Sequence, residues 1–198
     1  MTLQLIPASL PAQPVSNGFT LAIIIMIFMA LAILYSLTRI FLSLNDPPRQ
    51  RALTGWRRYA MLVLFILGIL VSLYLTYVET QSVQAVCGPV GDCNAVQSSR
   101  YAKLFGVLPI GLLGLGGYIA MLVTWWYSYQ KQAKFASLAP LALFGMALFG
   151  VIFSLYLTYL EPFVIKAVCI WCLSSAVIIT LILLNCLDDT ILALSGEE

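Results

Sequence analysis

Ser72-Leu73-Tyr74-Leu75-Thr76-Tyr77-Val78-Glu79 recurs as Ser154-Leu155-Tyr156-Leu157-Thr158-Tyr159-Leu160-Glu161, with seven of eight letters identical. An Ala-Val-Cys triplet follows each copy at the same distance, as Ala85-Val86-Cys87 and Ala167-Val168-Cys169. Chance supplies apolar letters readily, but hardly two tyrosines, a glutamate and a cysteine in one register. Each copy ends a long apolar run, and one returning apolar run lies between them. The pattern predicts two helical hairpins in parallel repeat, an arrangement membrane proteins often use. The fold class expected is an all-α integral membrane protein: a four-helix transmembrane bundle core plus one extra N-terminal transmembrane helix.

Composition agrees. Of 198 residues, 62% are hydrophobic and 9% charged, against about 25% charged in a soluble domain. The mean hydropathy is +0.99. A net charge of +2, scattered along the chain, gives no basis for nucleic-acid binding. There is no histidine, which removes histidine general bases, histidine-activated nucleophiles and histidine-ligated metals. Cys87, Cys93, Cys169, Cys172 and Cys186 are the obvious reactive groups left.

The chain divides as follows. Residues 1–17, with Pro7, Pro11 and Pro14, read as an extended extracytoplasmic lead. Residues 18–44 form the extra helix, long enough for the roughly 20 residues a bilayer needs. No basic residue precedes this run and it is too long for a cleaved leader. Residues 45–58 form a basic cytoplasmic linker, and 59–187 are the four-helix core, with spans near 59–79, 104–129, 140–161 and 169–187. Pro109 falls in the first turns of the third span, where proline is tolerated. Gly111, Gly114, Gly116 and Gly117 follow as small residues that let helices approach. Residues 188–198 read as an acidic cytoplasmic tail.

Basic residues set the expected orientation. With the Arg39–Arg58 and Lys131–Lys134 stretches inside, seven basic residues lie in the cytoplasm against Arg100, Lys103 and Lys166 outside. Five spans then put the N-terminus outside and the C-terminus inside. Cys87, Cys93, Cys169 and Cys172 all fall at the outer, oxidising face, where disulfide chemistry persists. Cys186 falls at the cytoplasmic end and reads as a small buried hydrophobe.

Cys169-Ile170-Trp171-Cys172 opens the last apolar run. At a helix N-terminus the free N–H groups and the helix dipole stabilise a thiolate, lowering its pKa from about 8.5 toward 7 or below. Cys172 lies about one turn deeper, toward an apolar co-substrate, and Cys169 faces the loop. Cys87-Gly88-Pro89-Val90-Gly91-Asp92-Cys93 is an irregular loop whose pair can open and close as a disulfide. Thiol–disulfide exchange needs pairs that can meet, and the repeat brings both to one end of the bundle. Other readings stay open: two static disulfides in a non-catalytic membrane protein, or a four-cysteine zinc site. Tyr74, Tyr77, Tyr156, Tyr159, Glu79 and Glu161 read either as interfacial anchors or as groups shaping a redox pocket. Ser72/Thr76 and Ser154/Thr158 read as helix-packing pairs.

These residues resemble the vitamin K epoxide reductase family over about Tyr59 to Leu187. The specific part is the order: a loop cysteine pair, two spans, then Cys-x-x-Cys opening the last helix. Disulfide-forming quinone reductases of the other main bacterial family carry Cys-x-x-Cys first. After Cys93, Asn94-Ala95-Val96-Gln97-Ser98-Ser99-Arg100-Tyr101 is similar to the family's Cys-x4-Ser-Ser-Arg-aromatic run, with Ser99 at the family's serine. Leu104-Phe105-Gly106 resembles the start of the second core helix, where Phe105 would help line a quinone pocket.

The resemblance implies a quinone-dependent thiol–disulfide oxidoreductase that uses no metal. Cys172 would pass electrons to a quinone of the menaquinone, ubiquinone or phylloquinone type, with Ser99 and Phe105 as further quinone contacts. Cys169 would form the inter-pair disulfide with Cys93, and Cys87 would exchange with a partner. That partner would be a separate secreted or periplasmic thioredoxin-fold protein, because many bacterial members end in a fused domain of that kind and this sequence stops soon after its fifth span. Animal members have an asparagine close before Phe-Gly and a tyrosine four residues after the second cysteine. Here Ala102 and Ala176 stand there, which favours quinone reduction over the family's vitamin K epoxide reduction. The first span lies outside the resemblance.

Overall fold

A computed structural model of the chain describes residues 16–45, 55–81, 83–87, 91–104, 107–128 and 138–195. The five apolar runs each form a long helix: α1 (Ser16–Asn45), α2 (Gly55–Gln81), α4 (Ile110–Ser128), α5 (Ala139–Leu160) and α6 (Ile170–Ser195). All five are long and apolar enough to cross a membrane. A short helix α3 (Cys93–Gln97), a 3-10 turn (Arg100–Ala102) and a two-residue strand pair, β1 (Lys103–Leu104) with β2 (Leu108–Pro109), lie between α2 and α4. The strands pair antiparallel, Lys103 opposite Pro109 and Leu104 opposite Leu108.

Four helices close into a ring. α2 packs on α4, α4 on α5, α5 on α6, and α6 back on α2. The hairpins are α2/α4 and α5/α6, the two units of the repeat. α1 lies outside this ring against α5 and α6. Phe65, Val151, Leu173, Ile182 and Leu183 are buried at the centre, while Ile24, Leu31, Leu70, Val123 and Ile152 point outward, as a lipid-facing surface requires.

Glycines decide how close α2 and α4 come. A Cβ on Gly111 would stand 2.7 Å from the Thr76 amide nitrogen, and one on Gly114 would stand 3.2 Å from Ser72 Oγ. Gly116 and Gly117 have open space around them. They line a cavity instead of serving helix approach.

Other boundaries differ from those expected. The third long helix begins at Ile110, not near Leu104, because Lys103, Leu104, Leu108 and Pro109 are held in the strand pair. Pro109 is therefore in a strand. Asp188 and Asp189 belong to α6 and do not begin a separate tail. Arg57 explains part of this: its Nη1 donates to Asp188 Oδ2 at 2.6 Å and its Nη2 to the Asn185 carbonyl at 2.7 Å. The start of α2 is thus tied to the last turns of α6, and a basic charge near a helix C-terminus is favourable. Most of the basic linker lies outside the described residues.

Candidate functional site

Both copies of the repeat end on a glutamate doing the same job. Glu79 Oε2 accepts a hydrogen bond from Gly111 N–H at 2.9 Å, and Glu161 Oε2 accepts one from Cys169 N–H at 2.9 Å. In each hairpin the carboxylate ending the outgoing helix satisfies an amide at the start of the returning helix, where the first N–H groups lack intrahelical partners. Glu161 is only 2% exposed. Glu79 is half-buried.

The second hairpin turns tightly. After α5 the chain makes one wide π-helical turn, Glu161–Ile165, then reverses at Lys166 with φ 61°. The Ala167 amide donates back to the Glu161 carbonyl at 3.1 Å. This delivers Cys169 to the N-cap of α6, where its carbonyl accepts the Leu173 N–H at 3.0 Å. Cys169 lies just outside the apolar span, which begins at Ile170. Its thiol is held below the ordinary thiol range, first by a hydrogen bond from the Cys172 side chain. Burial opposes this, and the Cys172 and Trp171 amides and the Gln97 side chain reinforce it.

The first connection is longer and folds over the second. Cys87 and Cys93 are joined as a disulfide, while Cys169 and Cys172 are not bonded. Asp92 caps α3 by accepting from the Ala95 amide at 3.0 Å, and Asn94 Oδ1 accepts from the Ala85 amide at 2.7 Å. Val86 is held from two sides: its N–H donates to the Tyr74 hydroxyl at 2.8 Å, and its carbonyl accepts from Trp171 Nε1 at 2.9 Å. The Tyr74 and Trp171 rings pack against each other with centroids 4.6 Å apart. A Cβ on Gly91 would clash with the Val168 carbonyl oxygen, so only glycine lets this loop settle beside Cys169.

All four cysteines consequently gather in one place. Cys93 and Cys169 are fully buried in a single apolar cluster with Leu75, Val78, Ala85 and Val96, and Cys87 and Cys172 pack against it. Cys87 is half-buried and Cys93 inaccessible, so an outside molecule meets Cys87 first. Cys186 is buried elsewhere, its thiol directed at the Leu183 carbonyl.

Cys172 opens on a cavity of about 540 Å³ inside the ring, walled by Leu113, Met121, Met146, Phe153 and Ile179 with Glu79 and Glu161. Exposed Leu112 and Phe149 also line it, so it reaches the surface between α4 and α5. Deeper in, the Tyr118 hydroxyl donates to the Ser175 carbonyl at 3.0 Å. A small annex of about 40 Å³ shares Cys172, Glu79 and Glu161 and adds Gln97, Ser99 and Tyr101. Ser99 Oγ and Gln97 Oε1 are buried there without a partner among the described residues. Sequence reasoning singled out Ser99 but passed over Gln97 and Tyr118; a polar residue in an otherwise apolar run was the available signal for Tyr118. Phe105 lies outside the described residues. Among the described residues, no group of three or more His, Cys, Asp or Glu side chains is arranged to hold a metal ion.

A sequence model described as the Vitamin K epoxide reductase family matches residues 59–186. That is about two thirds of the chain, covering α2 to α6 and leaving α1 outside. The chain belongs to this family, whose members are quinone-dependent oxidoreductases.

Proposed function

We propose that this member of the vitamin K epoxide reductase family generates disulfides. It oxidises a secreted or periplasmic thioredoxin-fold protein at Cys87–Cys93, moves the electrons to Cys169–Cys172, and delivers them to a membrane quinone. The observation that carries the reading is the single buried cluster holding Cys93 and Cys169, with half-buried Cys87 on one side and Cys172 opening on an apolar cavity on the other.

The steps balance. A partner thiolate attacks Cys87, releasing Cys93 as a thiolate; the partner's second thiol then displaces Cys87 and leaves the partner oxidised. Cys93 attacks Cys169 of the Cys169–Cys172 disulfide, forming Cys93–Cys169 and releasing Cys172. Cys87 attacks Cys93, restores the outer disulfide and frees Cys169. Two electrons have moved inward by thiol–disulfide exchange. The hydrogen bonds that hold Cys169 toward its thiolate favour its departure at the last of these steps, since lower-pKa thiols leave faster.

The cavity fits a quinone ring. Its volume lies in the roughly 300–1,000 Å³ range of small-molecule sites, its walls are apolar, and the Ser99 hydroxyl, in the annex that shares Cys172 with it, can donate to a carbonyl oxygen. A bound quinone accepts two electrons and two protons. Cys172 and Ser99 are the contacts assigned to it; Phe105 is assigned by the resemblance alone. With the basic ends of α1 and α2 inside, the cysteine end faces the oxidising compartment.

Mixing a reduced thioredoxin-fold protein, the purified protein and a menaquinone analogue tests this. Partner thiols should disappear in step with quinol formation, two thiols per quinol. Thiol loss without quinol, or no reaction with the intact protein, overturns the proposal.

A further inference from the structure

Glu161 lies beside both members of the Cys-x-x-Cys pair. Its Oε2 accepts the Cys169 N–H at 2.9 Å, and Cys172 lines the same cavity and annex. Glu161 also lines both the main cavity and its annex. So does Glu79, which comes from the facing hairpin. A carboxylate 2% exposed in a membrane protein is costly, and the single amide bond that Glu161 makes to Cys169 could be supplied by a neutral acceptor.

We infer that Glu161 is a catalytic proton carrier, taking the proton of Cys172 as the inner disulfide closes and passing it to the quinone, with Glu79 supplying the second proton from the outer aqueous side. The inference rests on the proposed quinone reduction. With Cys169 as thiolate and Cys172 as thiol, closing their disulfide yields two electrons and one proton. Reduction of the quinone to the quinol takes two electrons and two protons, so one more must come from water, through Glu79. The groups facing Glu161 are Cys169 and Cys172 on the α6 side, Glu79 on α2, Tyr101 in the annex and Tyr118 on α4 deeper in the cavity; Lys103 acts on Glu79.

Glu161→Gln tests this, since it keeps an acceptor for the Cys169 amide while removing the base. The expected result is a kcat for quinone reduction lowered about 100-fold, with the quinone KM moved less than about threefold. Glu161→Asp should recover part of the rate. A second readout needs no quinone: infrared difference spectra of quinone-free protein as diamide oxidises the inner pair should show a carboxylic C=O signal that Glu161→Gln removes. An unchanged kcat together with an unchanged infrared signal in folded Glu161→Gln overturns the inference. If the wild type reduces no quinone yet shows the infrared signal, the quinone reading fails while Glu161 stands as the base for Cys172.

Discussion

The two hairpins start from the same eight letters and end differently. In both, a glutamate closing the outgoing helix accepts an amide of the returning one. The second hairpin then needs only residues 161–169 to turn, and it puts its cysteine at the head of α6. The first has a longer connection between Gln81 and Ile110, whose described residues hold a disulfide, a short helix and a strand pair, with Gly91 set against Val168 of the second. The tyrosines diverge with the connections. Tyr74 holds Val86 and packs on Trp171, whereas its counterpart Tyr156 is 55% exposed. What is repeated is a frame that joins helices; what has diverged is the path by which each cysteine pair meets its surroundings.

The largest expected effect comes from breaking the contact between the hairpins. Gly91→Ala sets a methyl against the Val168 carbonyl and should shift the loop away from Cys169. Exchange between the pairs should slow by up to about 100-fold, the effect of an ångström of misplacement. Stopped-flow trapping of partner thiols would read it. Gly116→Ala, in open space inside α4, should leave that exchange unchanged and raise stability by up to about 1 kcal/mol through helix propensity.

Next come the paired glutamates as structural groups. Glu161→Ala and Glu79→Ala each leave an amide without its acceptor, costing about 1–3 kcal/mol for a buried group. Glu161 is the more buried, so its variant should show the greater drop in melting temperature; equal drops would mean that burial does not separate the two frames.

A smaller effect should separate the tyrosines. Tyr74→Phe removes the acceptor for Val86 N–H, costing about 1 kcal/mol, and should raise alkylation of Cys87 in reduced protein several-fold. Tyr156→Phe should leave it alone. The smallest is a pH effect at Cys169. Hydrogen bonds stabilise its thiolate, so half-maximal alkylation should occur below the ordinary thiol value of about 8.5. Cys172→Ala removes the leading cause, so the midpoint should rise.

Much of this was legible in the letters. Runs of apolar residues give the five helices, and the repeated octet gives two hairpins with their cysteines at one end. Helix limits were less legible where pairing, not hydropathy, sets them. Lys103 and Leu104 read as the edge of a span, yet they pair with Leu108 and Pro109. Asp188 reads as tail, yet Arg57, distant in sequence, holds it within α6. The roles of Glu161, Gln97 and Tyr74 depend on which backbone amide or sulfur the fold brings to them. Spacing alone does not encode that.

The central claim is that the two pairs are one relay joined through Cys93 and Cys169, and trapping that bond tests it most directly. In a Cys87→Ala variant with the inner pair oxidised, Cys93 should attack Cys169 and stop there. Non-reducing peptide mass spectrometry should then find Cys93 linked to Cys169, with Cys172 free to alkylate. A free Cys93 beside an intact Cys169–Cys172 disulfide would contradict the account.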